Sequence, residues 1–96
     1  MLVNRRTFIA KRGCFVNVAA LLKEAHEVIG FPGKACIYLS EIGVFDTVVI
    51  EVEYESYTEY ERVMVDHDAK LSPQWWEKWF AATESGGTNE LWRLLD

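Results

Sequence analysis

The sequence is most informative first in what it lacks. No apolar run approaches the roughly 18 residues of a membrane-spanning helix, so a soluble, cytoplasmic protein with no membrane partner is expected. Basic residues are scarce: ten Lys and Arg stand against fifteen Asp and Glu, a net charge of −5. Affinity for phosphate backbones rests mainly on Lys and Arg, so no nucleic-acid partner is expected. Arg5, Arg6, Lys11 and Arg12 are the one basic cluster. The two cysteines, Cys14 and Cys36, make neither a disulfide framework nor a metal-ligand pair, and read as small core residues in a reducing compartment. The two histidines have no carboxylate at ligand spacing, so no metal is expected. No phosphate-binding loop, dinucleotide fingerprint, nucleophile elbow or catalytic triad is present, and no cofactor is expected.

Apolar residues are abundant, at 50% of 96 residues, with aromatics at 14%. A chain this long makes one domain (1–96) and buries roughly 65% of its unfolded surface. Surplus apolar surface on so small a domain points to burial against another chain. "NRRTFIAK" (4–11) has the form of a twin-arginine export signal, but Lys11, Arg12 and Gly13 interrupt the apolar stretch such a signal needs, and no small-residue cleavage site comes after it. The same residues serve as a strand.

"LVNRRTFIAK" (2–11) reads as that strand. From Cys14 the period changes to helical: Cys14, Val18, Leu21, Leu22, Ala25, Val28 and Ile29 share one face, and "GFPG" (30–33) ends it with Gly30 placed for a C-cap. "KACIYLSEI" (34–42) and "FDTVVIEVEYE" (45–55) predict a hairpin about Gly43-Val44. In its second strand Val48, Ile50, Val52 and Tyr54 take one face and Thr47, Val49, Glu51, Glu53 and Glu55 the other. Ser56 and Glu59 predict a capping box opening a helix whose stripe is Tyr57, Tyr60, Met64, His67 and Leu71. "LSP" breaks it; Ser72 caps a further helix with Pro73 at its first position, running to about Glu84 and ending at Gly86-Gly87. "TNELWRLLD" (88–96) predicts a last strand. The order β-α-β-β-α-β predicts an α+β fold: a four-stranded antiparallel sheet with two helices on one face, the other face left for a second copy.

"IYLSEIG" (37–43), "DTVVIEVEYES" (46–56) running into "YTEYE" (57–61), the Trp-rich last helix and "ELWRLL" (90–95) together resemble the dimeric α+β barrel superfamily, and within it the NIPSNAP-like group. The resemblance implies a ferredoxin-like domain that pairs as a homodimer, two sheets facing each other in a dimeric α/β barrel, with a cavity within or beside each sheet. Members of the superfamily include cofactor-independent monooxygenases, haem-degrading oxygenases and isomerases, and shared fold alone transfers no chemistry. The haem-degrading members combine a strand Asn, a helix Trp and a helix His. Asn4, Trp75 and His67 are the counterparts available here, with His preceding Trp in the reverse of the expected order.

His67 is the candidate for chemistry, because an imidazole within an apolar stripe can face a cavity as base or ligand. His26, at the flank of its stripe, is expected to be solvated. Glu51 and Glu53 share a strand face and are expected to meet an arginine rather than to divide acid and base roles. Arg5 and Arg6 point to opposite faces, so one of them at most meets these glutamates directly. "SPQWWEKWF" (72–80) puts three tryptophans and a phenylalanine in nine positions. The aromatic arc is wide enough to pack on the sheet, with Trp75 and Phe80 at its freer edges. Arg6, Tyr38, Glu53, His67, Trp75 and Trp79 are the candidate pocket residues, and a small hydrophobic molecule is the expected ligand.

Overall fold

A computed structural model describes residues 1–95; Asp96, the end of the expected last strand, lies outside them. The alternation 45–55 becomes β3 (Thr47–Tyr54), in which Val48, Ile50, Val52 and Tyr54 are all buried and the residues between them are not. Each buried Val or Ile contributes about 1.5–3 kcal/mol relative to exposure, which ties this strand to one register. It pairs antiparallel with β1 (Leu2–Ala10) and with β2 (Ala35–Leu39), and β4 (Thr83–Arg93) completes the sheet in the order β2-β3-β1-β4. The register sets Arg6 opposite Ile50 and Phe8 opposite Val48, so the even-numbered residues of β1 share the buried face with β3. This is the ferredoxin-like α+β arrangement that the element order predicts.

Helix α1 (Phe15–Ile29) lays Val18, Leu21, Leu22, Ala25 and Ile29 on the sheet, and Gly30 closes it in the left-handed conformation at φ 71°. Cys14 precedes the helix as its N-cap and Val28, at the edge of the expected stripe, is exposed. The second helical layer is broken more often than the sequence suggests. It consists of α2 (Tyr57–Met64), the single turn α3 (His67–Lys70) and α4 (Pro73–Ala82). Ser56 Oγ accepts the Glu59 N–H at 3.2 Å, whereas Glu59 reaches back to the Glu55 N–H at 3.0 Å instead of to Ser56. Ser72 Oγ accepts the Trp75 N–H at 3.1 Å, with Pro73 in the first turn of α4.

Two boundaries differ from expectation. β2 ends at Leu39, and the link to β3 is the longer segment 40–46, which leaves Ile42, Val44 and Phe45 exposed. α4 passes straight into β4 at Thr83, so Gly86-Gly87 do not end a helix but form a bulge within the strand. Thr7 faces Thr88 while Ile9 faces Glu84, and both glycines take positive φ there. A Cβ on Gly87 would overlap the Thr7 carbonyl, which is why this position needs glycine. No helix among the described residues is long and apolar enough to cross a membrane.

Candidate functional site

Between the sheet and the helices the packing leaves a cavity of about 90 Å³. Its floor is the buried sheet face: Asn4, Arg6 and Phe8 from β1, and Ile50, Val52 and Tyr54 from β3. Leu22, Ala25 and Ile29 of α1 form one wall; Met64, His67, Trp75, Trp76 and Trp79 form the other. Trp75 and Trp79 stack with centroids 5.1 Å apart, and Phe8 meets Trp79 edge-on at 4.8 Å.

Four of the predicted pocket residues, Arg6, His67, Trp75 and Trp79, line this one cavity. Tyr38 and Glu53 do not, and strand parity is the reason. Tyr38 lies opposite Val49, and Glu53 opposite Val3, on the sheet face away from the helices. Trp75 is not the free edge that the helical arc suggests. It is 5% exposed and its Nε1 donates to the Leu21 carbonyl at 3.0 Å, while Phe80 is 65% exposed beside Trp76. The arc is rotated so that its Trp75–Trp79 side, not its centre, faces the sheet.

The polar groups of the cavity are few and unequally occupied. Asn4, 3% exposed, donates through Nδ2 to Asn89 Oδ1 at 2.7 Å and to the Glu90 carbonyl at 2.8 Å. Its Oδ1 accepts Arg6 Nε at 3.2 Å, which orients the guanidinium. The further contact of Arg6 is Nη2 to the Met64 thioether sulfur at 2.9 Å, and a thioether is a weak acceptor. No carboxylate pairs with Arg6 among the described residues. Tyr54 is 1% exposed and its hydroxyl has no hydrogen-bond partner among the described residues. Burial pushes this phenol up to about 12, with Arg6 pulling the other way. His67 has Nδ1 3.1 Å from the Met64 carbonyl and Nε2 2.8 Å from Asp68 Oδ1. Acceptors thus face both ring nitrogens, and neither can take a proton from a substrate without displacing a contact.

Tyr54 lines the cavity without being among the expected pocket residues. The signal was present, since alternation places it on the buried face and a phenol there needs a partner. No group of three or more His, Cys, Asp or Glu gathers as a metal site among the described residues. Asn4, Trp75 and His67 do share the cavity, but at about 90 Å³ it is smaller than the ~150 Å³ that encloses one benzene, so these residues do not fit a haem.

No family model matches the sequence, and no curated protein matches it. Solved structures do. An uncharacterized NIPSNAP domain protein from Burkholderia xenovorans superposes with a TM-score of 0.78 at 16% identity, over 99% of this chain and 95% of that one. A NIPSNAP family protein from Agrobacterium tumefaciens gives 0.69 at 16% identity, over 99% and 93%. An antibiotic biosynthesis monooxygenase gives 0.71 at 14% identity, covering both chains in full. The chain has their fold. At these identities the likeness speaks for architecture and not for activity.

The sheet face away from the helices is mixed in character. Arg5 Nε meets Glu51 Oε2 at 2.7 Å, the ion pair expected for one of the two strand glutamates, and its guanidinium lies 5.8 Å from the Trp92 ring centroid. Glu51 draws the Arg5 guanidinium further above its ordinary value. The Tyr38 phenol is also pushed up, first by hydrogen bonding with Cys36 and then by charge on Cys36 and Glu51. Tyr38 and Trp92 are each about half exposed on this face.

Proposed function

We propose that this chain works as a homodimer, closing the sheet face of Val3, Arg5, Val49 and Trp92 against a second copy to make a barrel, and binds a small, mainly apolar molecule in each subunit's cavity. The observation that carries the binding half is the cavity itself, walled by Trp75, Trp79 and Phe8 beside an otherwise packed core. Concave, mainly apolar pockets with a few polar groups are where small molecules bind. The dimer half is supported by the exposed Tyr38 and Trp92 and by the surplus of apolar residues, whose exposure costs about 25 cal/mol per Å². A reducing, cytoplasmic setting goes with this reading, supported by the free Cys14 and Cys36.

Native mass spectrometry of the purified chain tests both halves. The expected spectrum is a dimer carrying a small extra mass that denaturation releases. A monomer overturns the barrel; a dimer that neither carries a small molecule nor takes up xenon overturns the binding reading.

A cofactor-independent monooxygenase or isomerase is the second reading, favoured by the fold shared over the full chain with an antibiotic biosynthesis monooxygenase. The occupied ring nitrogens of His67 weigh against it as a general base. Oxygen uptake on addition of a small oxidisable substrate, lost in His67→Ala, would favour this reading over binding alone. A purely structural module would call for a filled interior, and the cavity weighs against that.

A further inference from the structure

Two polar groups on the cavity wall are short of partners among the described residues. The Arg6 guanidinium offers five N–H donors, of which Nε serves Asn4 and Nη2 the Met64 sulfur. A partly buried cation without a counter-charge is costly to keep. Tyr54 lines the same cavity, and its buried hydroxyl has no hydrogen-bond partner among the described residues. A buried hydroxyl without a partner is likewise costly.

We infer that the cavity selects a small monocarboxylate, its carboxylate held by the Arg6 guanidinium and the Tyr54 hydroxyl and its short apolar body set against Phe8 and Trp79. This rests on the proposed ligand-binding role of the cavity and adds the chemical class of the ligand. The planar guanidinium fork matches a carboxylate in two parallel hydrogen bonds, and the phenol supplies a third donor. Arg6 on β1 and Tyr54 on the neighbouring β3 line the same cavity, so an anion bound there lies among a cation and a phenol. Charge argues for a carboxylate over a phosphate ester: one guanidinium balances one negative charge, whereas a phosphate monoester carries roughly −1.5 to −2 at neutral pH. Size argues for a short chain. In proportion to the ~150 Å³ that encloses benzene, 90 Å³ encloses about four heavy atoms, so propionate, with five, is near the upper limit of size. Asn4 serves as a positioning residue, holding Arg6 Nε while Asn89 and Glu90 hold Asn4.

The test is an NMR titration of the full chain that monitors the indole N–H signals with propionate, propionamide and xenon at constant ionic strength, repeated on Arg6→Met and Tyr54→Phe. Both variants keep the bulk of the side chain, and xenon uptake reports whether the cavity survives in each. The expected result is propionate binding at least tenfold tighter than propionamide, with that preference lost in Arg6→Met and reduced in Tyr54→Phe while xenon binding persists. If xenon or propionamide binds and propionate binds no tighter, the cavity reading stands and the carboxylate inference falls. A preference for propionate that survives in both variants also overturns it, because the anion then sits elsewhere. Binding of none of the three probes overturns the cavity reading itself.

Discussion

Tyr54→Phe separates what the folded chain tolerates from what a ligand would use. The side chain is 1% exposed, its ring meets Tyr60 edge-on at 5.3 Å, and its hydroxyl has no partner among the described residues. Leaving a buried hydroxyl unpaired costs about 1–3 kcal/mol, so its removal is expected to stabilise the chain by about 1 kcal/mol after the small void left by the oxygen is allowed for. For a domain of this size that raises Tm by roughly 4–8 °C. The pH dependence provides a second arm. The phenol ionises near its ordinary 10.0 when unfolded and near about 12 when folded. A raised folded-state value means that the unfolded chain holds fewer protons between those two limits, so stability is full below about pH 10 and falls as pH rises towards 12. Two units correspond to roughly 2–3 kcal/mol at most. Denaturant melts monitored by tryptophan fluorescence, at one protein concentration and at pH 7, 10 and 11.5, measure both effects. The wild type should lose stability over the upper interval more steeply than Tyr54→Phe. A variant that is less stable than the wild type at pH 7, with the same alkaline slope, would refute the reasoning: the hydroxyl would then have a partner.

The remaining predictions concern the frame around the cavity. Gly87→Ala forces a Cβ onto the Thr7 carbonyl at a φ of +88°, and is expected to lower stability by at least about 2 kcal/mol, measured by the same melts. Ser72→Ala removes the acceptor for the Trp75 N–H and should cost about 1 kcal/mol, with Ser72→Asp restoring most of it. Trp75→Phe loses the Nε1 bond to the Leu21 carbonyl and enlarges the cavity; about 2–3 kcal/mol of stability should go, while xenon uptake rises.

Much of the fold was legible because its periodicities are local. The stripe of α1 and the alternation of β3 each predict a buried face from spacing alone, and the structure buries those faces with Val28 and Cys14 as the marginal members. What spacing does not carry is where a chain turns. Gly86-Gly87 satisfies the rule for a helix C-cap and equally the rule for a bulge, and the choice is made by the approach of Thr7 from β1, a residue some eighty positions away. The break after Met64 is of the same kind: Asp66 leaves helical geometry at φ −130° in a stretch whose polar pattern continues, and no local breaker marks it.

The candidate site was half legible for a related reason. Naming Arg6, Tyr38 and Glu53 together required knowing which strand faces coincide, and that depends on register between strands, not on any one of them. With Arg6 opposite Ile50 and Tyr38 opposite Val49, residues that look equally suited to a pocket are separated by the thickness of the sheet. The same parity explains why adjacent arginines have different fates. Arg5 falls on the outer face, where Glu51 neutralises it at 2.7 Å. Arg6 falls on the inner face, where the other groups within reach are an amide and a thioether. Had the core needed only to be filled, a leucine at position 6 would have done so without the cost of burying a guanidinium. A charged group kept there, beside a phenol that also lacks a partner, is better accounted for by what enters the cavity than by what surrounds it.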